Sequence, residues 1–124
     1  MQDGKHVVLC IDDDPDILSF LRIVLEAEGY IVADAPSAEE GLRVYKEVDP
    51  DCLIVDLMME EVDAGTSFVK DMKAMGNSAP IFMLSSAGDN LFMSTDTSSL
   101  GLSGVFQKPL SKDRLLGVLK AKLG

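Results

Sequence analysis

Five short apolar runs set the rhythm of this chain, separated by stretches in which apolar residues recur every three or four positions. The first run, Val7–Ile11 (VVLCI), is continuous and of strand length, and acids and Pro15 follow it at once. Asp14 is suited to accept from the free amides of a helix start. Pro15 fits the first helical position, where its missing N–H costs nothing. Ile17, Leu18, Leu21, Val24 and Leu25 then repeat at helical spacing, and Gly29 supplies the stop. Residues 30–35 predict a second strand, less hydrophobic than the first and so suited to a sheet edge. Ser37 and Glu40 form a capping box before a helix through Val48, which Pro50 forbids from continuing.

The third strand covers 53–56 (LIVD). A helix bearing Phe68, Val69, Met72 and Met75 on its apolar side follows and ends at Gly76-Asn77. Residues 81–84 and Gly104–Gln107 supply the fourth and fifth strands. Ser111 caps a last helix with Leu115, Leu116, Leu119 and Leu123 on one side. Lys120 and Lys122 fall in its final turn, where the helix dipole favours cations. Segment 86–103 is crowded with Ser, Thr, Asp and Gly, which compete with the helical backbone for hydrogen bonds. It predicts a short, weakly held fourth helix flanked by mobile loops. Near-continuous apolar strands alternating with amphipathic helices imply an α/β fold, a doubly wound five-stranded parallel sheet with helices on both faces.

Composition narrows the class without changing the fold. At 124 residues the chain has the length of one domain, expected to span 1–124, with 47% hydrophobic and 26% charged residues as in a soluble globular protein. No run approaches the roughly 20 apolar residues of a membrane-spanning helix. The start, MQDGKHVVLC, lacks a basic-then-apolar leader, so a cytoplasmic chain is expected. A net charge of −10 argues against non-specific nucleic-acid binding, which needs clustered Lys and Arg. Cys10 and Cys52 each sit in an apolar run and are expected as reduced, buried small hydrophobes, not as a disulfide or metal pair. His6, before the first strand, is expected at the surface without a chemical role.

In open parallel sheets the ligand site lies beyond the carboxyl ends of the strands. Asp12, Asp13 and Asp14 follow the first strand, Asp56 ends the third, Ser85 and Ser86 the fourth, and Lys108-Pro109 the fifth. Each alone has an ordinary structural reading. Acids after a strand cap helices, Asp14 above all, while strand-end serines and solvated lysines are common. Their joint placement on one sheet edge is harder to dismiss. Carboxylates gathered there are costly unless a cation neutralises them, and oxygen-only donors select a hard divalent ion, magnesium or manganese.

The order VVLCIDDDP, DCLIVDLMM, PIFMLSS and GVFQKPL resembles the response-regulator receiver domain of two-component signalling over residues 5–123. The resemblance implies the strand order 2-1-3-4-5 and a phosphoacceptor switch. In it Asp56 takes a phosphoryl group from a partner histidine kinase or phosphotransfer protein, in a magnesium-dependent reaction without enzymatic turnover. It further implies that Asp12, Asp13, Asp56 and the main-chain carbonyl of Met58 hold the metal. Lys108 would pair with a phosphoryl oxygen, Ser85 would donate to the phosphoryl group, and Lys108-Pro109 would be a cis peptide. The docking face would comprise the fourth helix, fifth strand and fifth helix.

Three features depart from the family pattern. Glu60 stands where proline is typical, and Gly65 comes one residue late with Ala64 in its place. Val105 replaces the usual aromatic three residues before the lysine, so readout is expected to rest on segment 86–103. Met58 and Ala87 cannot orient an attacking water, which predicts slow loss of phosphate. The alternatives are a pseudo-receiver that binds partners without phosphorylation, a haloacid-dehalogenase-like phosphatase and a flavin or nucleotide carrier. The phosphatase would need an acid where Met58 stands, and the carrier a glycine-rich phosphate loop after the first strand.

Overall fold

Each apolar run becomes a strand: β1 (Val7–Ile11), β2 (Ile31–Ala35), β3 (Cys52–Asp56), β4 (Ile81–Ser85) and β5 (Gly104–Gln107). The computed structural model describes residues 4–56, 71–85, 104–107 and 110–123, with backbone alone for Ser85 and Gln107. The strands form one parallel sheet of order β2-β1-β3-β4-β5. Two helices follow β1 and β2: α1 (Pro15–Ala27) and α2 (Ala38–Val48). A helical stretch over 71–74 precedes β4, and a C-terminal helix (Lys112–Leu123) closes the chain.

Local chemistry sets the helix ends. Asp14 caps α1 by accepting from the Asp16 amide at 2.9 Å, with Pro15 in the first turn. At the other end the Gly29 amide donates to the Glu26 carbonyl and the Tyr30 amide to the Leu25 carbonyl. This paired reversal needs a left-handed residue, and Gly29 takes φ +90°. The same pair of bonds ends the 71–74 helix, from Gly76 to Lys73 and from Asn77 to Met72. Ser37 caps α2 through the Glu40 amide, but the capping box closes on one side only. The Glu40 carboxylate pairs with Arg43 at 2.6 Å instead of reaching back. Ser111 caps the C-terminal helix as expected, accepting from the Arg114 amide at 3.4 Å.

Alternation along the strands divides the core into two layers. Val8, Cys10, Ile54, Phe82, Leu84 and Phe106 face α1 (Leu21, Val24, Leu25) and the C-terminal helix (Leu115, Leu116, Leu119). Leu9, Ile11, Leu53, Val55, Ile81 and Met83 face α2 and Met72. Val105 packs on this second side, opposite its neighbour Phe106, as strand geometry requires. The central strands are buried on both faces, whereas β2, at the edge, is only partly buried and carries Asp34, which pairs with Arg22 of α1 at 2.8 Å.

Two expectations need adjustment. Met75 has the spacing of a core residue but is 44% exposed, standing where the helix reverses into Gly76 at φ +81°. His6 is part-buried, with Nδ1 3.9 Å from Asp51 Oδ2. Asp51, just before β3, brackets the first residue of β1. Its amide donates to the Val7 carbonyl and its carboxylate accepts from the Val7 amide, each at 2.8 Å. Burial pushes the Asp51 carboxyl up, but the Val7 hydrogen bond and nearby positive charge outweigh it and hold it below the usual carboxylate value.

Both cysteines are free and buried. Burial, with Asp51 nearby, pushes the Cys52 thiol up to about 12, and burial with neighbouring acidic groups raises Cys10 further. Among the described residues no helix is long and apolar enough to cross a membrane. Phe68, Val69, the segment 86–103 and the Lys108-Pro109 bond lie outside the described residues.

Candidate metal centre

The strand order creates the site. The chain leaves β1 for β2 on one side and returns to place β3 on the other, so the neighbouring carboxyl ends of β1 and β3 lie where the strand order reverses. The last paired residues of these strands are Ile11 and Val55. One step further stand Asp12 and Asp56, both buried, at 0% and 5% exposure. Asp13, next along and exposed, completes the group. One carboxylate oxygen from each of Asp12, Asp13 and Asp56 lies within 4.8 Å of the other two.

Main-chain atoms hold this group in place. The Asp12 amide donates to the Ala35 carbonyl at the end of β2 (3.2 Å), tying the loop to the edge strand. Asp12 Oδ1 accepts from the Asp14 amide at 2.9 Å. Neither partner could be foreseen from side-chain pattern, since both are backbone groups. Asp56 is held by the ladder itself, paired in register with Leu84 of β4.

The donor set fits a hard divalent cation. It is all oxygen, anionic and partly withdrawn from water, where mutual repulsion between carboxylates is least screened. Two oxygens on opposite sides of an octahedral magnesium ion stand about 4 Å apart. Carboxylates already within 4.8 Å can therefore share one ion after small side-chain adjustments.

Of the other residues singled out from the sequence, Ser85 ends β4 with its backbone in register with Gln107. Its position two strands from β1 puts it on the same sheet edge as the acids. Met58, Lys108 and Ala87 lie outside the described residues, as do Glu60, Ala64 and Gly65.

Comparison with known proteins gives concordant results. Residues 8–120 match the model of the response regulator receiver domain family. The chain is 33% identical over 108 residues to the transcriptional regulatory protein GlrR of Escherichia coli, covering 87% of this chain and 24% of that one. It is 34% identical over 116 residues to PrrA of Mycobacterium tuberculosis, covering 94% and 47%. It thus spans a quarter to a half of the length of these relatives. It is also 29% identical to the chemotaxis protein CheY of Bacillus subtilis, covering 95% of this chain and 98% of that one. Among solved structures, a putative response regulator from Chloroflexus aurantiacus superposes with a TM-score of 0.85 at 30% identity, covering 97% and 98% of the two chains. CheY4 of Vibrio cholerae gives 0.84 at 28% identity, covering 97% and 100%.

Proposed function

The chain belongs to the response regulator receiver domain family, and from that premise we propose that it is a phosphoacceptor switch with Asp56 as the acceptor. The observation that carries the proposal is the meeting of Asp12, Asp13 and Asp56 where β1 and β3 end, with oxygens within 4.8 Å. The donor is a phosphohistidine on a partner histidine kinase or phosphotransfer protein. A carboxylate oxygen of Asp56 attacks phosphorus and the phosphorus–nitrogen bond breaks, its electron pair leaving on the imidazole. Phosphoryl transfer of this kind is largely positioning and charge neutralisation.

The chain's residues divide that work. Asp56, fixed by the ladder and 5% exposed, is held at one position at the end of β3, where little water competes for the phosphoryl group. Asp12 and Asp13 would hold Mg2+ (or Mn2+) together with Asp56 and, by family resemblance, the Met58 carbonyl. When bound, the ion would neutralise the carboxylates and the phosphoryl oxygens. To Lys108 we assign an ion pair with a phosphoryl oxygen, and to Ser85 a hydrogen bond to the phosphoryl group that moves the residues after β4. The chain acts as a switch and not as a turnover enzyme, and residues 1–124 form one cytoplasmic domain. Because GlrR and PrrA are transcriptional regulatory proteins, the phosphorylated form is expected to act on an output partner or domain, and nucleic acid is not contacted by this acidic chain itself.

The test is incubation with acetyl phosphate and Mg2+, read by intact mass. One added phosphoryl group that is lost in Asp56→Asn and in the presence of EDTA supports the assignment. No added mass, or addition that persists in Asp56→Asn, overturns it.

A further inference from the structure

We propose that Asp14 is a positioning residue for the divalent ion, acting through Asp12, an inference that rests on the metal site just described. Two turns are chained at the end of β1. Asp12 Oδ1 accepts from the Asp14 amide, and Asp14 Oδ1 accepts from the Asp16 amide, each at 2.9 Å. The group that orients the Asp12 carboxylate is therefore the peptide N–H of the residue that starts α1.

That N–H is held from three directions. The Asp14 carboxylate caps the helix, and the Asp14 carbonyl accepts from the Leu18 amide at 3.2 Å, closing the first turn. Pro15 excludes the helical region for the residue before it, and Asp14 sits at φ −89°, ψ 110° accordingly. The cap therefore does two things. It satisfies a helix amide, and it immobilises the donor that sets the direction of a carboxylate 0% exposed and next to Asp56. Partners that orient a metal's ligands change affinity although they never touch the ion.

Charge offers a rival route, since an acid near a cation also raises affinity. Asparagine and serine separate the two. Both cap as well as aspartate and carry no charge, whereas alanine neither caps nor carries charge. Ile23, 70% exposed on the same helix, supplies a control that weakens α1 without touching its cap.

The experiment is calorimetric titration of Mg2+ into the full chain, with urea unfolding of each variant in EDTA. Asp14→Ala is expected to bind Mg2+ about tenfold more weakly, at the low end for an orienting partner. Asp14→Asn and Asp14→Ser are expected within about twofold of the parent because the cap is retained. Ile23→Gly should lose stability comparable to Asp14→Ala yet keep its affinity. Should Asp14→Ala not fold, Pro15→Ala, which keeps the cap but loosens Asp14, is expected to weaken binding about two- to threefold. Equal losses in Ala, Asn and Ser show that charge acts alone and overturn the proposal, as does unchanged affinity in Asp14→Ala or, in its place, in Pro15→Ala. Failure of the parent chain to bind Mg2+ at all is a different result, since it removes the metal site itself.

Discussion

Deleting a negative charge from the group at the ends of β1 and β3 should make the metal-free protein more stable. Asp12 and Asp56 are both buried with oxygens no more than 4.8 Å apart. Two charges at that distance repel by about 3.5 kcal/mol at an effective dielectric of about 20, and by about 0.9 kcal/mol in water. The buried pair lies toward the first figure and exposed Asp13 toward the second. Asp56 is not without a partner of its own, and a hydrogen bond to a charged group, weakened in Asp56→Asn, is worth about 1.5–3 kcal/mol. A net gain of about 1 kcal/mol follows, or roughly 4 °C for a domain of this size. For Asp13→Asn the gain is about 0.5 kcal/mol, smaller in high salt. The assay is thermal unfolding followed by circular dichroism at pH 8, in EDTA and then in Mg2+. In Mg2+ the order should invert, because a ligand at 100 times its Kd stabilises the parent by about 2.7 kcal/mol while the variants bind poorly. A melting temperature for Asp56→Asn at or below the parent's in EDTA would refute the reasoning, since the carboxylates would then carry no repulsion for a cation to relieve.

Three further outcomes test the fold around the site. Gly104→Ala should destabilise by about 1–2 kcal/mol in urea, because the new Cβ would stand 3.1 Å from the ring of Phe82, itself 1% exposed and packed on Phe106. Cys10 and Cys52 should resist a thiol reagent at pH 8 in the native protein and react at the rate of unfolding, since burial keeps both thiols protonated; reaction within seconds would contradict their placement. Asp51 has its folded carboxyl held below the ordinary value of 3.8, so its contribution is complete above that value and fades as pH falls through the folded one. Asp51→Asn should therefore cost about 1 kcal/mol at pH 7 and flatten the acid limb of the stability curve; an unchanged acid limb would count against it.

Much of this was legible in the sequence because strand and helix periods differ. Runs such as VVLCI and CLIVD can be buried only as central strands, and the polar residues of IVADA suit the edge where β2 lies. Asp14, Gly29, Gly76 and Ser111 marked helix ends through their own chemistry. Asp12, Asp13 and Asp56 could be picked out because strand ends in a parallel sheet converge, whatever the side chains between them. What escaped was carried by the main chain or by tertiary context. The Ala35 carbonyl and Asp14 amide that hold Asp12 leave no residue signature. Glu40 had two partners in reach and took Arg43, and Met75 has the spacing of a core residue but falls where its helix reverses.

The bracket that Asp51 places on Val7 has a consequence at the opposite end of the molecule. Sliding β3 along β1 by one residue would carry Asp56 about 3.3 Å past Asp12 and turn its side chain to the other face. Nothing in the apolar run itself forbids this, since VVLCI and CLIVD are greasy on both sides. The two bonds between Asp51 and Val7 exist in one alignment only. They act as a keyway at the foot of the sheet, indexing two strands so that acids 44 positions apart in the chain arrive together at its head.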